Sequence, residues 1–229
     1  RQAELMQKLS ETGKPMVFAL IHGKPLAIKE QVDQSNAVLS CWFGGERGPQ
    51  AVCDVLLGKV NPAGRLPFSL PRSSTMIPCY YSMLPGASNE YYEGKGDALY
   101  PFGFGLSYTN YKYDNAKVVS ADGEKITVSA EVENIGGIAG KEIVQVYAAY
   151  TDSRVVTPHW QLCSLKSIPL EAGEKKEVTL DIDRYWVKAV TMDGERVDPD
   201  GKITLYIGGH QPDKVSNELL GYNCLGIEL

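Results

Sequence analysis

A chain of 229 residues with 43% hydrophobic and 22% charged content buries roughly 70% of the surface that its unfolded form exposes, so it needs neither disulfides nor metals to form a core, and extended disorder is excluded. Its 28 acidic against 23 basic side chains leave a net charge of −5, opposite to the basic footprint of a nucleic-acid binder. The longest apolar run, Met16 to Ile21, is far shorter than the ~20 residues that span a bilayer, so neither a nucleic-acid nor a membrane partner is expected.

The chain opens on Arg1 rather than Met, and Gln2 to Leu9 place charged and apolar residues at helical spacing. This start lacks the apolar stretch of a signal peptide, and a preceding segment is expected. After Gly13-Lys14-Pro15, Met16 to Ile21 is a continuous apolar run, as in a strand buried on both faces. The polar stretch Lys29 to Asn36 leads to a second such run, Ala37 to Phe43. After the Gly44-Gly45 turn, Ala51, Val52, Val55, Leu56 and Leu57 repeat at helical spacing until Gly58, a helix stop. This βαβα order implies parallel strands covered by helices. From Asn61 prolines and glycines punctuate the chain, predicting loops and a short edge strand, and 82–97 reads as a surface loop.

Beyond about Tyr108 the pattern becomes all-β. Ile126, Val128, Ala130 and Val132 alternate with Lys125, Thr127, Ser129 and Glu131, one face for a core and one for water. Ile143 to Tyr147, Glu177 to Ile182 and Ile203 to Ile207 predict the same. Turns at Asp122-Gly123, Gly136-Gly137, Ala172-Gly173, Asp193-Gly194 and Asp200-Gly201 divide this part into about seven short strands, the spacing of an immunoglobulin-like sandwich. The boundary falls near Phe104 to Asn110, which divides the chain into 1–105 and 106–229.

The residue types offer little catalytic chemistry by spacing alone. His22, His159 and His210 are too dispersed for a metal site, and no metal or cofactor is expected. Cys41, Cys53, Cys79, Cys163 and Cys224 form no CxxC pair; all five read as structural, with Cys41 and Cys53 as buried small apolar groups. The segment Gly44 to Gly48 lies where phosphate-binding loops occur but matches none of their patterns, and Ser107 lacks the second glycine of a nucleophile elbow. The acids Glu46, Glu90, Glu93 and Asp97 offer no defined pair for glycoside hydrolysis. Of the aromatic residues that could stack on sugars, Trp42, Tyr80 and Tyr81 read as packing residues. Tyr91 and Tyr92 are adjacent and face opposite ways in an extended segment, and His159 beside Trp160 forms an exposed aromatic spot.

Several motifs together resemble a known family. Gly13-Lys14-Pro15, His22-Gly23-Lys24-Pro25-Leu26, Trp42-Phe43-Gly44-Gly45-Glu46, AVCDVLLG at 51–58, NPAGRLP at 61–67 and YPFGFGLSYT at 100–109 are similar, in order and spacing, to the carboxyl half of glycoside hydrolase family 3, of the bacterial periplasmic β-glucosidase and β-xylosidase type. The resemblance implies an α/β plus all-β fold: the second half of a three-layer α/β sandwich, here partial, followed by a fibronectin type III-like β-sandwich. In that family an Asp on a (β/α)8 barrel attacks the anomeric carbon, and a Glu on the α/β domain acts as acid and base. Neither maps into this chain, so no residue here inherits a catalytic role, and the barrel of a parent enzyme is the expected partner.

The chain departs from the family pattern at His22, at Arg47, Pro49 and Gln50, at Thr157, and at Ala172 in the LEAGE turn. His22, Glu46 and Arg47 lie at strand ends, where α/β folds place ligands, and together with Tyr91 they are the candidate substrate contacts. The resemblance implies a β-glycosidase, periplasmic or secreted, of which this portion is inactive alone. The alternatives are a non-catalytic carbohydrate-binding or scaffolding module using Tyr91 or Trp160, and, as the weakest, an autonomous enzyme using Glu46 with Glu93. An α/β portion cut through its sheet leaves Met16 to Ile21 as an open edge, which predicts self-association.

Overall fold

The computed structural model describes residues 1–84 and 96–229. The first part holds α1 (Gln2–Ser10), β1 (Val17–Leu20), α2 (Lys29–Asp33), β2 (Ala37–Ser40) and α3 (Gly48–Leu56). β1 and β2 pair in parallel, from Val17 opposite Ala37 to Leu20 opposite Ser40. The entry to β1 is fixed by Asn36, whose Oδ1 accepts from the Met16 amide at 2.8 Å. The expected βαβα order is therefore present.

The expectation that both strands are buried on both faces is not met. Leu20 is buried and packs in a small cluster with Ile28, Leu70 and Leu99, but Val17, Ile21 and Phe43 are exposed, as are Leu5 and Leu9 of α1. Two four-residue strands and three short helices supply one packed side, and no further layer among the described residues covers the other apolar faces. Cys53 is exposed rather than buried, and Cys41 is half-buried.

Among the described residues the proline-rich stretch forms no regular edge strand. Instead 66–70 and 99–104 run antiparallel: Leu70 donates to the Tyr100 carbonyl, Leu99 to Leu70, Gly103 to Leu66 and Leu66 to Phe104, at 2.7–2.9 Å. The one isolated bridge among the described residues joins Leu70 with Tyr100. Pro67, Pro71 and Pro101 lack the amides a ladder needs.

The second part is a two-sheet sandwich. One antiparallel sheet orders β3 (Tyr111–Ser120), β4 (Lys125–Asn134) and β7 (Lys175–Asp183). The other orders β11 (Leu225–Glu228), β10 (Lys202–Gly208), β5 (Gly140–Thr151) and β6 (Gln161–Leu170). These are seven strands, as the turn spacing predicts. A small hairpin of β8 (Ala189–Val190) and β9 (Arg196–Val197), a 3₁₀ turn at Arg184–Val187 and α4 (Lys214–Leu220) complete the fold.

Ile126, Val128, Ala130 and Val132 of β4 are wholly buried, facing Val144, Val146, Leu205 and Ile207 across the sandwich. Burial of each such valine, leucine or isoleucine side chain contributes about 1.5–3 kcal/mol. Gly173 closes the β6–β7 turn at a φ of 73°, open only to residues without a Cβ penalty.

β5 departs from the expected alternation: Gln145 and Tyr147, on its outward side, are buried. The segment at 101–104 covers them. Gln145 Nε2 donates to the carbonyls of Gly103 at 3.0 Å and Gly209 at 2.7 Å, and Tyr147 Oη donates to Gln145 Oε1 at 2.6 Å.

Candidate functional site

The carboxyl ends of β1 and β2 lie side by side because the strands are parallel. His22 follows β1 and is only 4% exposed. One ring nitrogen, Nδ1, lies 2.8 Å from the Lys24 carbonyl, and Nε2 lies 2.8 Å from Ser40 Oγ. A carbonyl can only accept, so Nδ1 carries the proton and Nε2 accepts from the serine hydroxyl. The ring also stacks on Trp42 with centroids 4.9 Å apart, and Trp42 meets Phe68 edge-on at 4.9 Å. Both nitrogens and one face of His22 are thus engaged within the protein.

Trp42 takes a φ of 51°, a strained value for a bulky residue, and this turns the chain sharply out of β2. The following loop is tight: a Cβ on Gly44 would stand 2.5 Å from the Gly48 Cα. The loop presents Phe43, 77% exposed, then Glu46 and Arg47, both exposed. Neither the Glu46 nor the Arg47 side chain finds a hydrogen bond or ion pair among the described residues. Arg47 directly precedes α3, whose first turn holds Pro49, a position that suits proline.

The structure brings His22, Glu46 and Arg47 to one end of the strand pair, but it buries His22 and leaves the other two side chains in solvent. Tyr91 lies outside the described residues, as do Glu90, Tyr92 and Glu93.

A second constellation joins the two parts of the chain. Arg65 Nη2 lies 2.7 Å from Glu142 Oε2, with the two side chains 10% and 1% exposed. Arg65 Nε donates to the Gly209 carbonyl at 3.1 Å, and Tyr113 Oη donates to Glu142 Oε1 at 2.8 Å. Burial pushes the Glu142 carboxyl above its ordinary range, and the Arg65 charge opposes that rise. Beside the pair runs a cleft of about 490 Å³ lined by Ser107, Tyr111, Tyr113 and Tyr222 among others. Asn61 binds the same junction: Oδ1 accepts from Ser107 Oγ at 2.7 Å and the Tyr108 amide at 2.8 Å, and Nδ2 donates to the Ala139 carbonyl at 3.0 Å.

Sequence reasoning passed over both members of this pair. Their only signals are an arginine inside the NPAGRLP motif and one acid at the head of an apolar strand. Every Glu142 oxygen is already engaged, so the pair acts as a clamp between the two parts.

Residues 1–108 match the glycosyl hydrolase family 3 C-terminal domain, and 142–211 match the fibronectin type III-like domain. The chain thus carries the C-terminal domain of glycosyl hydrolase family 3 followed by a fibronectin type III-like domain. Among its relatives in that family are a periplasmic β-glucosidase of Salmonella typhimurium, 37% identical over 226 residues, covering 90% of this chain and 29% of that protein, and a β-xylosidase of Formosa agariphila, 35% identical over 215 residues, covering 90% and 30%. The crystal structure of a β-glucosidase from Listeria innocua in complex with glucose superposes on 100% of this chain and 32% of that one, with a TM-score of 0.86 and 28% identity.

The chain therefore spans about three-tenths of the length of these relatives. The match to the family's C-terminal domain ends at residue 108, and the clamp and the Asn61 bonds tie that stretch to the fibronectin-like sandwich.

Proposed function

We propose that these residues form the carboxyl-terminal portion of a retaining β-glycosidase that hydrolyses O-glycosyl bonds of β-glucosides or related oligosaccharides, outside the cytoplasm in the periplasm or the medium. In this reading the division falls at 105/106, between a partial α/β sandwich and a fibronectin-like unit. The attacking carboxylate and the acid/base carboxylate come from polypeptide outside these 229 residues, chiefly a barrel. Bound to that barrel, the strand-end loop would face the sugar, with Glu46 and Arg47 free to contact hydroxyls.

The observation that carries the reading is the match of the whole chain to β-glucosidases, joined to the geometry at the strand ends. There, among the described residues, the buried His22 is spent on internal bonds, and the two exposed charges have no partner to tune or orient them. A general acid or nucleophile needs such a partner, so the local chemistry is that of a contact surface. The uncovered faces of β1, β2 and α1 support the same reading. They also support self-association of the isolated chain, which light scattering would register as a mass rising with concentration.

The test is hydrolysis of a panel of aryl β-glucosides and β-xylosides. The polypeptide carrying these residues together with the remaining length of its relatives should turn over at least one substrate, and the 229-residue chain should turn over none. Turnover by the chain alone, lost in Glu46→Gln, would refute the reading.

A further inference from the structure

The loop that leaves β2 sends two adjacent aromatic residues in different directions. Trp42 turns inward onto His22 and Phe68, whereas Phe43 turns out and is 77% exposed. The Phe43 ring is held in that position. A Cβ on Gly23 would stand 2.5 Å from its Cε2 and 3.0 Å from its Cζ, so this end of the ring lies against the bare backbone of the loop after β1, and any larger residue there would push it aside. The φ of 51° at Trp42 and the close approach of Gly44 to Gly48 fix the loop on its own side. A ring seated in advance loses little freedom when a ligand meets it.

The surroundings of Phe43 differ from those of the other exposed apolar side chains in this part. Leu5, Leu9 and Val17 lie on helix and strand faces, where a further protein layer packs. Phe43 lies beyond the end of β2, at the carboxyl ends of parallel strands, where α/β folds receive ligands. It shares its loop with Glu46 and Arg47, both exposed and unpartnered among the described residues. The centres of protein–protein contacts are depleted of charged residues, whereas small-molecule sites combine an aromatic wall with a few polar groups. The negative face of a phenyl ring attracts the C–H hydrogens of a sugar or aryl ring. Glu46 accepts from hydroxyls and Arg47 donates to them.

We propose that Phe43 is a specificity-determining residue of the intact glycosidase, its exposed ring receiving a ring-shaped leaving group while Glu46 and Arg47 bond to that group's hydroxyls. This rests on the glycosidase reading and adds to it the part of the substrate that these residues meet. The cleaved bond lies at carboxylates outside this chain, so what reaches the loop is the portion beyond that bond.

The test is competitive inhibition of 4-nitrophenyl β-glycoside hydrolysis by matched benzyl and methyl 1-thio-β-glycosides, of glucose and of xylose, which are not cleaved. It uses the intact polypeptide as wild type, Phe43→Ala and Phe43→Tyr. Phe43 is exposed, so its variants fold, and thermal melts check this. Wild type should hold the benzyl compound at least about fivefold tighter than the methyl one, the worth of one ring contact. Phe43→Ala should lose that preference and Phe43→Tyr should keep it. A smaller preference in wild type, or one that Phe43→Ala retains, overturns the proposal. So does an equal weakening of both inhibitors in Phe43→Ala, the sign of a ring packed against protein. An intact polypeptide that hydrolyses no glycoside sinks the glycosidase reading and this proposal with it, whereas hydrolysis without the ring preference sinks this proposal alone.

Discussion

The two parts of the chain treat similar apolar runs in opposite ways. Val17 to Leu20 and Ala37 to Ser40 are as strand-like in sequence as Ile126 to Val132, yet β4 is sealed between neighbours and a facing sheet, while β1 and β2 leave Val17, Ile21 and Phe43 in solvent. The sandwich is self-sufficient because two sheets cover one another. The parallel pair is not, because parallel strands need layers on both faces. An apolar run states that a strand will be buried; whether this chain or another polypeptide does the burying is decided elsewhere.

The largest effect should come from the clamp that joins the parts. Glu142→Ala leaves Arg65 buried without its carboxylate, and a loss of about 3–5 kcal/mol is expected in urea unfolding. A loss under about 1 kcal/mol would mean that the junction carries no load.

Next, Ile126→Ala in the sealed sandwich should cost about 2–5 kcal/mol, whereas Val17→Ala on the open strand should stay within about 0.5 kcal/mol. Equal costs would erase the difference between the parts.

The pH dependence separates two buried groups within the sandwich. Desolvation lowers the His210 pKa, so the unfolded state binds more protons once pH falls below about 6.5. Stability from this group is full above that pH and is lost as pH falls through the lower folded value. Glu142 has the opposite sign: its raised pKa means that the folded state holds the proton more tightly, so its contribution falls as pH rises through that raised value. Thermal melts between about pH 4 and 8, at pH steps of about half a unit, should show the acid-side loss flattened in His210→Gln and the opposing slope removed in Glu142→Gln.

The smallest effect is on thiol labelling. Cys53 is exposed and should react first with a thiol reagent. Cys163 and Cys224, each pushed up to about 12 by burial, should react only on unfolding.

Much of this is legible in the chain. Alternation in β4 and β7 and the glycine turns specify the sandwich, because a strand with one wet face writes its period into the sequence. The outward face of β5 is not legible, since Gln145 and Tyr147 look solvent-facing until the 101–104 segment folds over them. Arg65 and Glu142 lie 77 residues apart, and no local period links them. Prolines show where pairing fails but not that 66–70 and 99–104 still lie antiparallel. At the candidate site, the strand-end position of His22, Glu46 and Arg47 can be read from the βαβα order. The burial of His22 cannot, because it depends on Trp42 adopting a backbone turn that tryptophan rarely takes.

Native-state hydrogen exchange on the 229-residue chain tests the central claim most directly, since exchange reports the local opening free energy of each strand. The account predicts weak protection at 17–20 and 37–40 and strong protection at 126–132 and 144–148. Protection of the β1 and β2 amides equal to that of the sandwich would contradict it, because the parallel pair would then be complete without any covering layer.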